Sequence, residues 1–191
     1  MGKGLKTFLI VVAIIAIVLF PLIGSYNKMV NLDQSVKQSE SDINTQLQRR
    51  SDLIPNLIAT VKGYASQEKG IFTSLADARA KLAGAKTINE KANADSQLSG
   101  SLSRLLVVVE NYPNLKSDQN FRDLSVSLEG TENRIGIARK DYNTSVGEFN
   151  SLTSRFPNLI IAGIFRFDQK PYYKAAEGAK EVPKVDFSNV K

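Results

Sequence analysis

At 191 residues and 42 % hydrophobic composition, the chain has room for one globular domain and an extra segment. It contains neither cysteine nor histidine, which excludes disulfides, thiol nucleophiles, histidine general bases and the zinc, copper or haem sites that need those ligands. The 25 Lys and Arg against 19 Asp and Glu give a formal net charge of +6, but the basic residues are interleaved with acids and form no stripe with aromatics, so no nucleic acid is expected as a partner.

Residues Phe8 to Ile23 read FLIVVAIIAIVLFPLI, with no charge and one proline. With Thr7 and Gly24 they reach the roughly 17–25 residues that a membrane-spanning helix requires. Phe8, Ile15, Leu19, Pro21 and Ile23 mark this candidate anchor, and the lipid bilayer is its partner. A cleaved signal peptide is the competing reading, since Lys3 and Lys6 ahead of an apolar core suit both. No A-x-A pattern occurs, and Leu22 stands where cleavage wants a small residue, which favours a retained anchor over residues 1–25. Lys3, Lys6 and the α-amino group outweigh Lys28, which is set against Asp33. The positive-inside bias therefore predicts a single-pass protein of the inner membrane, its N-terminus inside and its soluble domain outside the cytoplasm.

From Tyr26 the pattern becomes amphipathic. Met29, Leu32, Val36, Ile43 and Leu47 fall at helical spacing and predict a first soluble helix that ends near Asp52, with a break or kink at Ile54-Pro55. Leu57, Val61, Tyr64, Ile71, Leu75, Ala78 and Leu82 predict a second helix, with Glu68 at one buried-side position and an end at Gly84. Ala92, Leu98, Leu102, Leu105 and Val109 mark a third from about Ile88, weakened by Gly100 and stopped at Tyr112-Pro113, with a turn over Asn114 to Asp118.

Ser117 to Phe156 carries the strongest pattern. Phe121, Leu128, Ile135, Tyr142, Phe149 and Phe156 form one row at intervals of seven, and Leu124, Thr131, Ala138, Ser145 and Leu152 form a second. A helix of that length runs about 60 Å and cannot expose such a row to water, so the other helices must cover it. The expected fold is all-α: an N-terminal transmembrane helix followed by an elongated antiparallel four-helix bundle over residues 26–156. Residues 157–191 form an apolar segment and an extended tail, whose scattered aromatics are available to a partner. An even number of passes returns Leu159, Ile160, Ile161, Ile164, Phe165 and Phe167 toward the bilayer surface as a candidate oligomer or membrane contact.

The form apolar-Pro-Asn-Leu recurs at Ile54, Tyr112 and Phe156, and is read as three similar helix ends. Arg49, Arg50 and Asp52, with Asn56 and Lys62 after them, form a candidate site for an acidic ligand or peptide. The structural reading has the arginines capping the last carbonyls of the first helix. Glu132, Arg139, Asn143 and Asn150 form a polar stripe beside the aromatic row, suited to cross-helix hydrogen bonds that fix register. No catalytic, cofactor or metal set is recognisable: there is no Gly-x-Ser-x-Gly, no phosphate-cradling glycine loop and no reason to pair two carboxylates, so an enzyme is not expected.

The block from Gln46 through Arg49, Arg50, Asp52, Pro55, Asn56 and Lys62 to Ala65 and Glu68 resembles the LemA family of bacterial membrane proteins. Glu132-Asn133-Arg134-Ile135, Ala138-Arg139, Tyr142-Asn143, Phe149-Asn150 and Phe156-Pro157 agree with it, and the likeness extends to Pro183-Lys184-Val185-Asp186-Phe187. The resemblance implies a membrane helix and an antiparallel four-helix bundle and no catalytic residues. The family's usual description puts the short N-terminus outside the cell; the lysines of this chain predict it inside. The expected function is a membrane-tethered scaffold or adaptor of the bacterial envelope, its partners a second copy of itself or another envelope protein. An acidic-ligand binding protein acting through Arg49, Arg50 and Lys62 is the alternative.

Overall fold

The computed structural model describes residues 2–174; the side chains of residues 3, 6, 7, 10, 11, 13–19 and 21 lie outside that description, as does the tail from residue 175 on. Among the described residues the regular structure is entirely helical. The helices are α1 (Lys3–Lys62), α2 (Lys69–Gly84), α3 (Ile88–Val109), α4 (Pro113–Ser117), α5 (Gln119–Thr153) and α6 (Asn158–Phe165). Among the described residues no helix is long and apolar enough to cross a membrane. Of the expected anchor, Phe8 and Ile23 are exposed, while the side chains of Ile15, Leu19 and Pro21 fall outside the description.

The break expected at Pro55 does not occur, because the buried row of α1 keeps its phase across the proline. Ile43, Leu47, Arg50, Ile54, Leu57 and Val61 follow one another in alternating steps of four and three, and all six are buried. An end at Asp52 would withdraw Ile54, Leu57 and Val61 from that seam. A proline inside a helix leaves the carbonyl four residues earlier without its donor. Here that carbonyl belongs to Ser51, and Arg79 of α2 donates its Nε–H to it at 3.0 Å. The helix stops instead at Lys62, where Gly63 weakens propagation and the Tyr64 hydroxyl donates to Asp118 Oδ2 at 3.0 Å.

Helix α3 begins on a capping box. Glu90 N–H donates to Thr87 Oγ1 at 3.2 Å, and Thr87 N–H donates back to Glu90 Oε2 at 3.0 Å. The backbone hydrogen bond from Thr87 holds the Glu90 carboxyl below its ordinary pKa. The turn expected over Asn114 to Asp118 is the short helix α4, opened by Pro113. Asp118 then caps α5 by accepting from Phe121 N–H at 3.0 Å, which lowers its own pKa, with Tyr64 adding to the effect.

Phe121, Ile135, Tyr142 and Phe149 are buried as the periodicity of α5 predicts. Phe156 is not: it is 82 % exposed, because the helix ends at Thr153, and its peptide bond to Pro157 is cis. The apolar stretch that follows forms helix α6. Of the Pro-Asn repeats, two precede helix starts and the first lies inside a helix.

The described chain divides into two compact units. The first contains the chain up to Ile43 with Ile137–Tyr172, and the second contains Asn44–Gly136 with Tyr173 and Lys174. In the first unit α1 and α5 run antiparallel, with Ser39 Oγ and Ser145 Oγ 3.0 Å apart, and Met29, Ile161 and Ala162 form a small core with Leu22, Tyr26, Leu152 and Phe167. In the second, α2 packs antiparallel on α3: Ser74 Oγ lies 3.1 Å from Ser101 Oγ, and Lys81 Nζ donates to Gln97 Oε1 at 3.0 Å.

Candidate functional site: a buried ion cluster and its cavity

Three of the second unit's helices each place a charged residue at one junction. Arg50 falls on the buried row of α1, and Asp95 falls on that of α3 between Ala92 and Leu98. Arg50 is only 4 % exposed and Asp95 0 %. Arg50 Nη1 donates to Asp95 Oδ1 at 2.8 Å and lies 2.6 Å from Glu132 Oε2 of α5. The Tyr173 hydroxyl donates to Asp95 Oδ2 at 3.1 Å. Burying an ion is costly unless it is paired and hydrogen-bonded, and Asp95, which accepts from Arg50 on one oxygen and Tyr173 on the other, meets that condition. Arg50 Nε is buried without a hydrogen-bond partner.

Beside the cluster is a cavity of about 510 Å³, lined by Arg50, Glu129 and Glu132, by Leu57, Leu102, Leu105, Leu106 and Leu128, and by three serines. Its walls are mainly apolar, and its carboxylates outnumber its one cation. Such a lining suits an apolar or cationic group better than an anion. Among the described residues no group of His, Cys, Asp and Glu has the arrangement that holds a metal ion.

The sequence-derived candidates separate accordingly. Arg50 and Glu132 meet each other, whereas Arg49, Asp52, Asn56 and Lys62 are exposed on α1. The arginines cap no helix end, since α1 continues past them, and the charge of Arg50 is met by carboxylates of its own chain. Arg139 and Asn143 are half-buried on α5. Asn150 bonds not to a neighbouring helix, as expected of the stripe, but to the chain after α6: its Nδ2 donates to Lys170 O at 2.9 Å, and Lys170 N–H donates to its Oδ1 at 2.8 Å.

That segment is fastened further within the first unit. Tyr142 donates its hydroxyl to Pro171 O at 2.9 Å, and burial, with Glu40 nearby, pushes its pKa up to about 12. Lys170 Nζ lies 2.8 Å from Asp33 Oδ1 and 5.4 Å from the Phe149 ring centroid. Burial raises the Asp33 pKa, but hydrogen bonds and charge from Lys170 and Lys37 outweigh it, and the carboxyl sits below its ordinary value. The described start of the C-terminal tail is thus a strap. Tyr173, expected to be free for a partner, is buried on Asp95; Tyr172 is exposed.

Three participants escaped the sequence reading: Asp95, Arg79 and Tyr173. Asp95 had a signal, since an acid on the buried row of a helix requires a cation opposite it, and Arg50 holds the matching position on α1. Arg79 follows from Pro55 once the helix is taken through the proline. Tyr173 lies beyond any periodic pattern.

The fold and the site define an all-helical protein whose buried rows carry a few paired charges. Residues 39–187 match the LemA family, and the chain belongs to that family. It is 25 % identical to magnetosome protein MamQ 2 of Paramagnetospirillum magneticum over 91 % of this chain and 74 % of that one. It is 24 % identical to magnetosome protein MamQ of Magnetospirillum gryphiswaldense, again over 91 % and 74 %. Protein LemA of Metamycoplasma hominis is similar at 23 % identity, over 90 % of this chain and 77 % of the relative.

Proposed function

We propose that this protein is a non-enzymatic scaffold or adaptor of the bacterial envelope, held in the inner membrane by the apolar stretch Phe8 to Ile23 and acting through the surfaces of a four-helix bundle. The anchor rests on the length and charge pattern of that stretch, which lies inside α1. One observation carries the adaptor role. In the second unit the buried cation is neutralised internally, while Leu106, Val107 and Val126 stand outward, the latter two at 70 % and 69 % exposure. Exposed aliphatic side chains on otherwise polar helices give a partner helix apolar area to bury.

The test is the native mass of the full chain extracted in mild detergent, together with whatever copurifies. The expected result is a homogeneous particle of several 21.0 kDa chains, or one chain with a stoichiometric second protein. Val107→Glu with Val126→Glu should shift either toward the lone chain while helix content persists. A bare monomer from the unaltered protein would overturn the proposal.

A further inference from the structure

Helix α6 is apolar on both of its faces, and the described residues cover only one of them. Ile161 and Ala162 face inward and pack with Leu22, Tyr26 and Met29 of α1. Tyr26 also lies 4.7 Å from the Phe165 ring and 5.7 Å from that of Phe167. Leu159, Ile160, Gly163 and Ile164, related by spacings of three and four, share the opposite side, and every one of them is exposed, Ile164 at 69 %. A helix apolar all round belongs in an apolar environment on all sides. The described residues supply half of that environment.

We infer that the outer face of α6 lies in the headgroup region of the bilayer, as an in-plane contact at the foot of the anchor. This rests on the anchor proposed above. Two observations select lipid as the occupant. The inner face of α6 packs on Leu22 and Tyr26, where the apolar stretch Phe8 to Ile23 ends, so the helix sits where α1 would leave the membrane. From Arg155 to Phe167 the segment contains no acid, and Arg155 and Arg166 bracket its apolar face. Cations beside an apolar helix face suit anionic headgroups. A second copy pairing on this face by two-fold symmetry would instead bring arginine against arginine.

The chain has no native cysteine, so single labels are unambiguous. The full chain carrying Ile160→Cys or Ile164→Cys, labelled with a polarity-sensitive dye, is reconstituted in vesicles of phosphatidylcholine and phosphatidylglycerol. A label at Ile137→Cys, on the exposed side of α5, serves as the water-facing reference, and one at Val12→Cys reports the anchor. Lipids brominated near the headgroup should quench the α6 labels at least about twofold more than the reference, as expected for an apolar face buried about 5–10 Å, with iodide showing the reverse order. Iodide quenching of both α6 labels, with lipid quenching at Val12→Cys, overturns the inference and leaves the anchor standing. Iodide quenching at all sites overturns both. Shielding of the α6 labels from both quenchers in a dimeric particle assigns the face to a second copy and also overturns it.

Discussion

Arg50 is a cation on a helix row otherwise occupied by Ile43, Leu47, Ile54, Leu57 and Val61, and it resides there because Asp95 and Glu132 meet it at 2.8 and 2.6 Å. Removing one member of a buried pair costs more than replacing the pair, since the survivor keeps its desolvation penalty. Arg50→Ala is therefore expected to lower the unfolding free energy by about 3–5 kcal/mol, whereas Arg50→Met with Asp95→Leu recovers most of that loss. Urea unfolding in mild detergent, followed by circular dichroism, measures both; a double variant no better than the single one would falsify the pairing account. Asp33 makes a separate prediction in pH. Its folded pKa lies below the ordinary 3.8, so the folded state binds the proton less readily than the unfolded one. The stabilisation is present above the unfolded value and is lost as pH falls through the folded one. Thermal unfolding should become easier below about pH 4, and Lys170→Met, by removing the cation 2.8 Å away, should flatten that acid limb. An unchanged limb in the variant would mean that other carboxylates dominate.

At the scale of the element, the continuity of α1 depends on a side chain from another helix. Pro55 costs an interior helical bond, and the Arg79 guanidinium supplies the missing donor to Ser51 O. Leaving a buried carbonyl unsatisfied costs about 1–3 kcal/mol, and that is the loss expected for Arg79→Met. In Pro55→Ala the backbone N–H of residue 55 returns to Ser51 O, so Arg79→Met in that background should cost markedly less. Strictly additive effects in the double-mutant cycle would separate the two residues. The same element shows where the sequence was legible. The rows of α5 were, because Phe121, Ile135, Tyr142 and Phe149 are large, regularly spaced and interrupted by no proline. Those of α1 were legible on both sides of Pro55, but Leu57 and Val61 were assigned to a separate helix, because the local preference of Pro55 pointed one way and the seam through Ile54, Leu57 and Val61 pointed the other. The seam prevailed, and with the helix ended too early Arg50 looked like a cap rather than one half of a buried pair with Asp95.

At the scale of the molecule, the last described residues return to the helices that began it. Lys170 and Pro171 are held by Asp33, Asn150 and Tyr142 in the first unit, and Tyr173 closes on Asp95 in the second. None of this was visible in the sequence. A strap without periodicity leaves no pattern, and pairwise spacing cannot match its polar partners, which lie from 20 to 78 positions away in the hydrogen bonds and farther still in the Asp33–Lys170 pair. Its contribution is measurable by comparing a chain ending at Lys174, which keeps every one of these bonds, with one ending at Phe167, which keeps none. With each net hydrogen bond contributing about 1 kcal/mol, and part of it restored by water when the partners become exposed, the shorter chain should be less stable by about 2–4 kcal/mol. Tyr173→Phe in the longer chain should account for about 1 kcal/mol of the difference, because it removes a single donor from a buried carboxylate while leaving the ring in place. Equal stability of the two truncated chains would mean that the strap follows the helices without holding them. A loss carried wholly by Tyr173→Phe would confine its role to the ion cluster.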